Sequence, residues 1–256
     1  MIETYGLTKR YGSYEALTGL DLKVKDGEFY GFLGPNGAGK TTTVKIMAGL
    51  LKPTAGRALL GGYDIMKEPL IAKHIIGFIP DRPYIYEKLT ANEFLLFNSR
   101  LFSVDENIAL KRIDEYLEMF DLFEWKHELI ESFSHGMRQK TIMAAALLHD
   151  PKIVIVDEPM VGLDPKGAKL VKKILKGLCK RGTTVFMCTH SLFIAEELCD
   201  RVGIIQKGKV IAEGSMDELR ALSEKLAAGE GAKLEDIFLS LTGEEGTDIV
   251  PDDLLG

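Results

Sequence analysis

The feature that most constrains the fold is the stretch GPNGAGKT at residues 34–41. Its glycines allow the backbone to curl so that successive N–H groups point at one anion. The apolar segment EFYGFL precedes the stretch, and TTTVKIMAGLL, which has helical spacing, follows it. A chance glycine turn before a helix is the alternative, but it does not explain the apolar strand in front. The order strand, glycine loop, helix therefore predicts a phosphate-binding loop.

Two side chains at the end of this loop complete the chemistry that a phosphate site needs. Lys40 brings a mobile positive charge to the β- and γ-phosphates of a nucleotide, and Thr41 offers a hydroxyl group to Mg²⁺. The helix that follows adds the positive end of its dipole. The stretch thus predicts binding of a nucleoside triphosphate together with magnesium.

The remaining segments alternate between strand and helix patterns, which indicates an α/β fold. Strands and turns are predicted in the first 30 residues, and the run KIVIVDEP is typical of a strand buried on both faces in a parallel sheet. The segment RVGIIQKGKVIAEG predicts a hairpin that turns at Lys207-Gly208. Between about residues 90 and 150 three segments have helical periodicity, which indicates a helical insertion: ANEFLLFNSRLF, NIALKRIDEYLEMF and GMRQKTIMAAALL.

Composition narrows the class of protein. The chain has 256 residues, of which 46% are hydrophobic, enough for a large core. A net charge of −6 argues against a general nucleic-acid-binding surface, so no nucleic-acid partner is expected. Three scattered cysteines without CxxC spacing indicate reduced core thiols rather than a disulfide or zinc site. We expect no signal peptide and no run near the ~18 apolar residues that span a bilayer, so work at a membrane would use another chain.

Acidic and imidazole side chains are predicted to meet at one edge of the sheet. Asp157 and Glu158, in IVIVDEP at residues 153–159, stand at the C-terminal end of a strand, and ligands of open α/β sheets gather at that edge. Because side chains alternate along a strand, Asp157 can approach Mg²⁺ while Glu158 reaches a water in line with the γ-phosphate. A solvated strand end is the alternative, and the upstream phosphate loop disfavours it. His190 closes the strand TTVFMCTH at the same edge, where it could polarise the γ-phosphate, although a lone histidine is more often structural.

Two further features stay open at the level of the residues alone. Tyr11, in TKRYG, either stacks on a nucleobase or is an ordinary strand aromatic. Ser134 and Gly136, in ESFSHGMRQK, open a helix whose free N–H groups form an anion site. No lysine at a sensible spacing and no metal ligand lie beside this helix start. The sequence itself does not say where its anion comes from.

Taken in order, these motifs resemble the nucleotide-binding subunit of an ABC transporter. The resemblance rests on GPNGAGKTT, a helical insertion, the SxG helix start, IVIVDEP, VGLDP and CTH, and it runs from Tyr11 to about residue 242. It implies a P-loop NTPase core with a mainly parallel sheet, an N-terminal antiparallel β subdomain and an inserted helical subdomain. The implied ATP-binding domain spans residues 1–242, with its core at 1–80 and 151–212 and its helical subdomain at about 81–150. Residues 213–256 would form a C-terminal helical extension and tail.

The resemblance also implies a role for each motif residue. Tyr11 would stack on adenine, Asp157 would bind Mg²⁺, and Glu158 would be the general base beside the switch histidine His190. Ser134 and Gly136 would contact the γ-phosphate of a nucleotide held by the opposite subunit, and Asp164 would belong to the D-loop along that subunit. The Walker A loop that binds ATP would comprise Gly34, Pro35, Asn36, Gly37, Ala38, Gly39, Lys40, Thr41 and Thr42.

Two positions depart from the family pattern. The signature, usually LSGGQ, reads FSHGM, so that His135 either adds a donor to the phosphate or points to solvent. Asp81 stands where a glutamine is usual, and no glutamine occurs before residue 139. As a hypothesis, Asp81 serves the magnesium through water; alternatively it pairs with Arg82 and leaves the metal to Thr41 and Asp157.

The resemblance implies an ATPase whose two copies, or one copy and a close paralogue, sandwich two ATP·Mg²⁺ and drive a transmembrane permease. The chain would lie in the cytoplasm, peripheral to the inner face of the membrane. The segments PDRPYIYEKLT and FSHGMRQK favour an exporter over an importer. Two alternatives are kept: a soluble ABC-type ATPase that acts on translation or DNA, and a GTP-driven switch. The sequence lacks an N-K-x-D base-reading motif, which disfavours the switch.

Overall fold

The structure, a computed structural model, describes residues 1–82 and 84–226, with side-chain surroundings to residue 221. The acidic tail, and any helical pattern after residue 226, therefore lie outside the described residues. Within the described part, no helix is both long and apolar enough to cross a membrane.

The N-terminal strands form a four-stranded antiparallel sheet in the order β2-β1-β4-β5. Two-residue and glycine-containing turns join β1 to β2 and β4 to β5, as the turn signals in the sequence predict. Its first hairpin, β1 and β2, pairs Tyr11 with Tyr14 beside the turn. Its strands are β1 (Ile2–Tyr11), β2 (Tyr14–Val24), β4 (Ala55–Leu60) and β5 (Tyr63–Asp64).

A second, six-stranded sheet has the order β10-β9-β3-β8-β7-β6. Its strands run parallel except for β10, which pairs with β9 as the predicted antiparallel hairpin. The α/β class and the mainly parallel core predicted from the sequence are thus confirmed. The strands are β3 (Phe29–Leu33), β6 (Ile76–Ile79), β7 (Ile153–Asp157), β8 (Thr184–Thr189), β9 (Arg201–Gln206) and β10 (Lys209–Gly214).

Three helices follow β6 and precede β7 in the chain, and they pack on one another: α3 (Ala91–Leu101), α4 (Glu106–Met119) and α5 (His135–Leu147). The sequence predicts a helical insertion at this place. Thr90 opens α3 with a capping box that it forms with Glu93, because each satisfies a backbone N–H of the other. The helices are α1 (Lys40–Met47), α2 (Pro69–His74), α3 (Ala91–Leu101), α4 (Glu106–Met119), α5 (His135–Leu147), α6 (Pro165–Lys180), α7 (Leu192–Leu198) and α8 (Met216–Leu226).

The parallel sheet is buried on both faces, which explains the continuous apolar run of β7. Val154 and Val156 pack into a cluster that they share with α3, α4 and α5. Ile153 and Ile155 point the other way, into a cluster with α1 and the antiparallel sheet. Strand β7 therefore lies between two apolar layers, and its last residues emerge at the edge where the site is built.

The three cysteines are free, in agreement with the prediction of reduced thiols. Cys188 is buried in β8, while Cys179 and Cys199 are partly buried. Burial raises the pKa of all three thiols, so they remain protonated and weakly reactive at neutral pH.

Candidate functional site

One cavity lies at the carboxyl ends of β3, β7 and β8. Parallel pairing aligns these ends, because Leu33 is level with Thr189 and Asp157 is level with Cys188. The cavity brings together residues from five separate segments of the chain. Those that the sequence predicts for the site are Tyr11, Pro35, Asn36, Gly37, Gly39, Lys40, Thr41, Thr42, Asp81, Asp157, Glu158 and His190.

The backbone of the glycine loop has a conformation that other residues would disturb. Gly37 and Gly39 have φ angles of +79° and +116°. A Cβ atom on Gly39 would lie 2.8 Å from the backbone oxygen of Ala16, and one on Gly34 would lie 2.3 Å from that of Ile205. The glycines therefore let the loop pass close to β2 and β9 while its N–H groups stay available to an anion.

The start of α1 is suited to a phosphate group. Gly39 precedes this helix without a side-chain cap, and the first turn carries no acidic residue. Its free N–H groups and the helix dipole therefore both favour an anion. The Lys40 ammonium group donates hydrogen bonds to the backbone oxygens of Gly34 and, at 3.1 Å, Pro35. The lysine thus bridges its own loop at the point where a phosphate oxygen would compete for it.

Three carboxylates share this cavity. Asp157 is buried, and burial raises the pKa of its carboxyl group to about 6, with further contributions from the charges of Asp81 and Glu158. A hydrogen bond from Thr41 and the charge of Lys40 oppose this rise in pKa. Such a concentration of negative charge fits a cation, and hydroxyl and carboxylate oxygens are ligands that Mg²⁺ accepts alongside phosphate and water. Thr41 and Asp157 can therefore hold the metal.

Glu158 and His190 form a hydrogen-bonded pair across β7 and β8. The Glu158 Oε1 atom lies 2.7 Å from His190 Nδ1 and 2.8 Å from the His190 backbone nitrogen. Thr189 donates to the other carboxylate oxygen at 3.1 Å. A carboxylate only accepts, so Nδ1 carries the proton and Nε2 is left as an acceptor. Glu158 itself has a φ of +49°, a strained backbone position of the kind that is found at functional sites.

Two tyrosines border the cavity, although the sequence reasoning identified only Tyr11. Tyr11 is 48% exposed, and the Lys9 ammonium group lies 5.2 Å from the centre of its ring. Tyr14 pairs with Tyr11 across the hairpin, and its hydroxyl donates to the backbone oxygen of Gly37 at 3.2 Å. The signal for Tyr14 was present in the sequence, since TKRYGSYEAL places the two tyrosines on either side of a tight turn.

The signature residues occupy the start of a different helix. Ser134 caps α5, and its hydroxyl accepts a hydrogen bond from the backbone nitrogen of Met137 at 3.3 Å. Neither Ser134 nor Gly136 is among the residues that line the cavity with Lys40. Within one chain, therefore, this anion site and the phosphate loop are separate.

His135 is exposed, as the second of the two alternatives left open by the sequence expects, and its ring also lies against Gly162. A Cβ atom on Gly162 would lie 2.2 Å from His135 Nδ1 and 2.7 Å from Cε1. The ring remains partly accessible to solvent, since His135 as a whole is exposed. Asp164, two residues after Gly162, caps α6 by accepting from the Gly167 backbone nitrogen at 3.2 Å. The predicted D-loop thus begins beneath the signature helix of the same chain.

Asp81 lines the cavity. Gln139, which the sequence did not single out, contacts Pro80, the residue before Asp81. The Asp81 carboxylate accepts from the backbone nitrogen of Arg82 at 2.8 Å. Gln139 of α5 is fully buried, and its side-chain amide donates to the backbone oxygen of Pro80 at 3.2 Å. Only its position on the inner side of a helix could have identified Gln139, because an isolated glutamine carries no motif.

The chain is similar to proteins of one described family. Residues 17–161 match the model of the family described as ABC transporter. The chain is 41% identical to the daunorubicin resistance ATP-binding protein DrrA3 of Streptomyces coeruleorubidus, over 84% of this chain and 68% of that protein. It is 42% identical to the bacitracin transport ATP-binding protein BcrA of Bacillus licheniformis, over 88% of this chain and 73% of that protein.

Solved structures of ATP-binding cassettes have the same fold as this chain. An ATP-binding subunit of an ABC transporter superposes with a TM-score of 0.87 at 30% identity, over 94% of this chain and 99% of the other. The ATP-binding cassette MJ0796, solved as a dimer in a post-hydrolysis state with ADP and Pi, gives a TM-score of 0.77 at 28% identity, over 84% of this chain and 98% of that cassette.

Proposed function

The chain belongs to the ABC transporter family, and we propose that it is the subunit that hydrolyses ATP to drive export through a separate transmembrane permease. The observation that carries this proposal is the cavity where Lys40, Asp157 and the Glu158–His190 pair meet. Relatives named for daunorubicin resistance and bacitracin transport support export rather than import.

ATP binding is assigned to the glycine loop and the aromatic hairpin. The free N–H groups at the start of α1 and the Lys40 ammonium group bind the β- and γ-phosphates. Tyr11, exposed at the rim of the cavity, stacks on adenine. Thr41 and Asp157 hold Mg²⁺, which neutralises charge on the phosphates when it is bound.

Hydrolysis is assigned to Glu158 with His190. The Glu158 carboxylate orients the attacking water and accepts its proton, and His190 fixes that carboxylate through two donors from one residue. His190 Nε2, which Glu158 does not engage, would donate to the γ-phosphate when the imidazole carries a proton on both nitrogens. This division of work follows from the geometry of the pair, in which only one nitrogen of the ring is engaged by Glu158.

Completion of the site requires a second chain. Ser134 and Gly136 present an anion site that their own chain does not fill, because the phosphate loop lies elsewhere. A second copy, or a close paralogue, would place this helix start against the γ-phosphate of the first. Closure around ATP and opening after hydrolysis would then move the attached permease.

The permease is assigned to an apolar groove between the parallel sheet and the helical insertion. Tyr84 and Tyr86 are 83% and 61% exposed at its edge, and Phe97 is 41% exposed on α3. Tyr84 and Tyr86 of the groove follow Asp81 of the nucleotide cavity closely in the chain. A permease helix seated in the groove would therefore adjoin that cavity. This contact would keep the chain on the cytoplasmic face of the membrane.

The replacement Glu158→Gln tests the proposal. It preserves the shape of the side chain but removes the proton acceptor, so ATP binding should persist, hydrolysis should fall at least about 100-fold, and a dimer should accumulate with ATP. Size-exclusion chromatography with and without ATP measures the dimer, and phosphate release measures hydrolysis. Rapid turnover by this variant would refute Glu158 as the base, and failure of the wild type to hydrolyse ATP would refute the function.

A further inference from the structure

His135 lies against the backbone at Gly162, although 27 positions separate the two residues in the sequence. The three atoms nearest to a Cβ on Gly162 all belong to the imidazole, at 2.2, 2.7 and 3.3 Å. Gly162 also has a φ of +77°, which favours glycine by itself. Gly136, next to His135, is close as well, since its Cβ would lie 3.0 Å from the Gly162 oxygen. The first turn of α5 therefore packs directly on the peptide groups of Gly162.

The segment that contains Gly162 leads back to the catalytic base. Val161 donates its backbone N–H to the oxygen of Glu158 at 3.2 Å, and Leu163 donates to Met160 at 3.3 Å. These turns leave few free backbone angles between Glu158 and the cap of α6 at Asp164. Gly162 therefore lies four positions after Glu158, in a segment whose backbone these two hydrogen bonds constrain.

In the proposed dimer, the start of α5 faces the nucleotide of the other subunit and packs on the segment that follows the base of its own site. Ser134 would contact the γ-phosphate bound by the other subunit, while Glu158 serves the γ-phosphate in its own chain. We propose that His135 is a positioning residue that couples these two sites, by holding Gly162 in register with the start of α5. The inference rests on the proposed function, because it needs the signature of one chain to meet the ATP of another.

Steady-state hydrolysis by the full chain tests this coupling. Removal of the imidazole in His135→Ala should lower kcat about fivefold and leave the Kd for ATP of the isolated chain within about twofold, because the loop and Tyr11 are untouched. His135→Gln, which keeps a planar polar group over Gly162, should recover most of the rate. His127→Ala, at an exposed histidine of the helical insertion, is the matched control and should match the wild type.

A double-mutant cycle separates coupling from a general loss of structure. Gly162→Ala forces the imidazole away, so it should lower kcat more in the wild type than in His135→Ala, with non-additivity of at least about threefold. An unchanged kcat in His135→Ala, or additive effects in the cycle, would overturn the inference while wild-type hydrolysis still supports the ATPase. A lack of hydrolysis by the wild type would instead overturn the proposed function, and the inference with it.

Discussion

Glu158 Oε1 lies 2.7 Å from His190 Nδ1 and 2.8 Å from the backbone nitrogen of the same residue. One histidine therefore holds the proposed base by two bonds, of which only one depends on the ring. Loss of the ring leaves the bond from the backbone and the bond from Thr189 in place. Replacement of His190 can therefore separate two contributions: the orientation of Glu158, and the proposed contact of the ring with phosphate.

The first prediction concerns His190. Its replacement by alanine should lower kcat about 10- to 100-fold with little change in the Kd for ATP, because Glu158 keeps two of its three donors while the ring is lost. His190→Gln, which can donate to Glu158 but has no second ring nitrogen, should recover only part of the rate. Single-turnover hydrolysis measures both variants; a full rate in His190→Ala would remove the histidine from the mechanism.

The second prediction concerns pH and the carboxyl group of Asp157. Its pKa in the folded chain, about 6, lies above the ordinary 3.8, so between these values the folded chain keeps a proton that the unfolded chain has lost. The stability that this group contributes is present at low pH and is lost as pH rises through about 6. Without nucleotide, Asp157→Asn should therefore melt about 4 °C above the wild type at pH 7.5, with a smaller difference at pH 5.

Thermal unfolding of the nucleotide-free chain at the two pH values provides the measurement for Asp157→Asn. Glu124→Gln removes an exposed carboxylate from the helical insertion and serves as the control, with no comparable gain expected. The same Asp157→Asn chain should fail to hydrolyse ATP. An equal gain in melting temperature at pH 5 and pH 7.5 would mean that ionisation of Asp157 is not the cause.

The third prediction concerns Asp81, for which the sequence left two roles open. In the structure Asp81 accepts from the backbone of Arg82 and contributes to the raised pKa of Asp157. If Asp81 serves the magnesium through water, Asp81→Ala should raise the Mg²⁺ concentration for half-maximal hydrolysis about fivefold. Arg82→Ala removes the side chain with which Asp81 could form an ion pair, keeps the backbone donor, and should leave that concentration unchanged. Equal Mg²⁺ dependence of the wild type and Asp81→Ala would end the proposed metal role.

The fourth prediction concerns recognition of the base. Stacking on an aromatic ring contributes about 1–3 kcal/mol per base, so Tyr11→Ala should weaken ATP binding about tenfold, while Tyr11→Phe should stay close to the wild type. Tyr63→Ala, at the edge of the same antiparallel sheet, is the control. Fluorescent-nucleotide titration with ATP and GTP competitors gives the affinities. An unchanged affinity in Tyr11→Ala would leave Tyr11 as an ordinary strand aromatic, and a preference for GTP would favour the switch alternative.

Much of the fold could be predicted because local pattern and tertiary burial agree. The run IVIV reads as a doubly buried strand, and β7 is covered on both faces. Helix α2 was missed because six residues that begin with a proline are too short to show a helical period. Boundaries set by turns, such as Lys207-Gly208, were recovered because glycine at positive φ marks them in the sequence.

The contacts within the site were less predictable. Motifs located Lys40 and Glu158, since their spacing follows from the chemistry of phosphate. The contact of His135 with Gly162 and the support of Pro80 by Gln139 depend on how α5 packs against distant segments. Neither contact has a local signature, so a sequence pattern could not specify them.

The larger apolar cluster joins Val154 and Val156 of the sheet to Leu95, Ile113 and Ile142 of the three inserted helices without a break. The insertion is one continuous segment of the chain, but it has no hydrophobic core of its own. Unfolding of the inserted helices would expose one apolar face of the sheet to water. The helices and the sheet should therefore unfold in a single thermal transition. Evolution could then lengthen the loops around these helices more easily than it could delete the helices themselves.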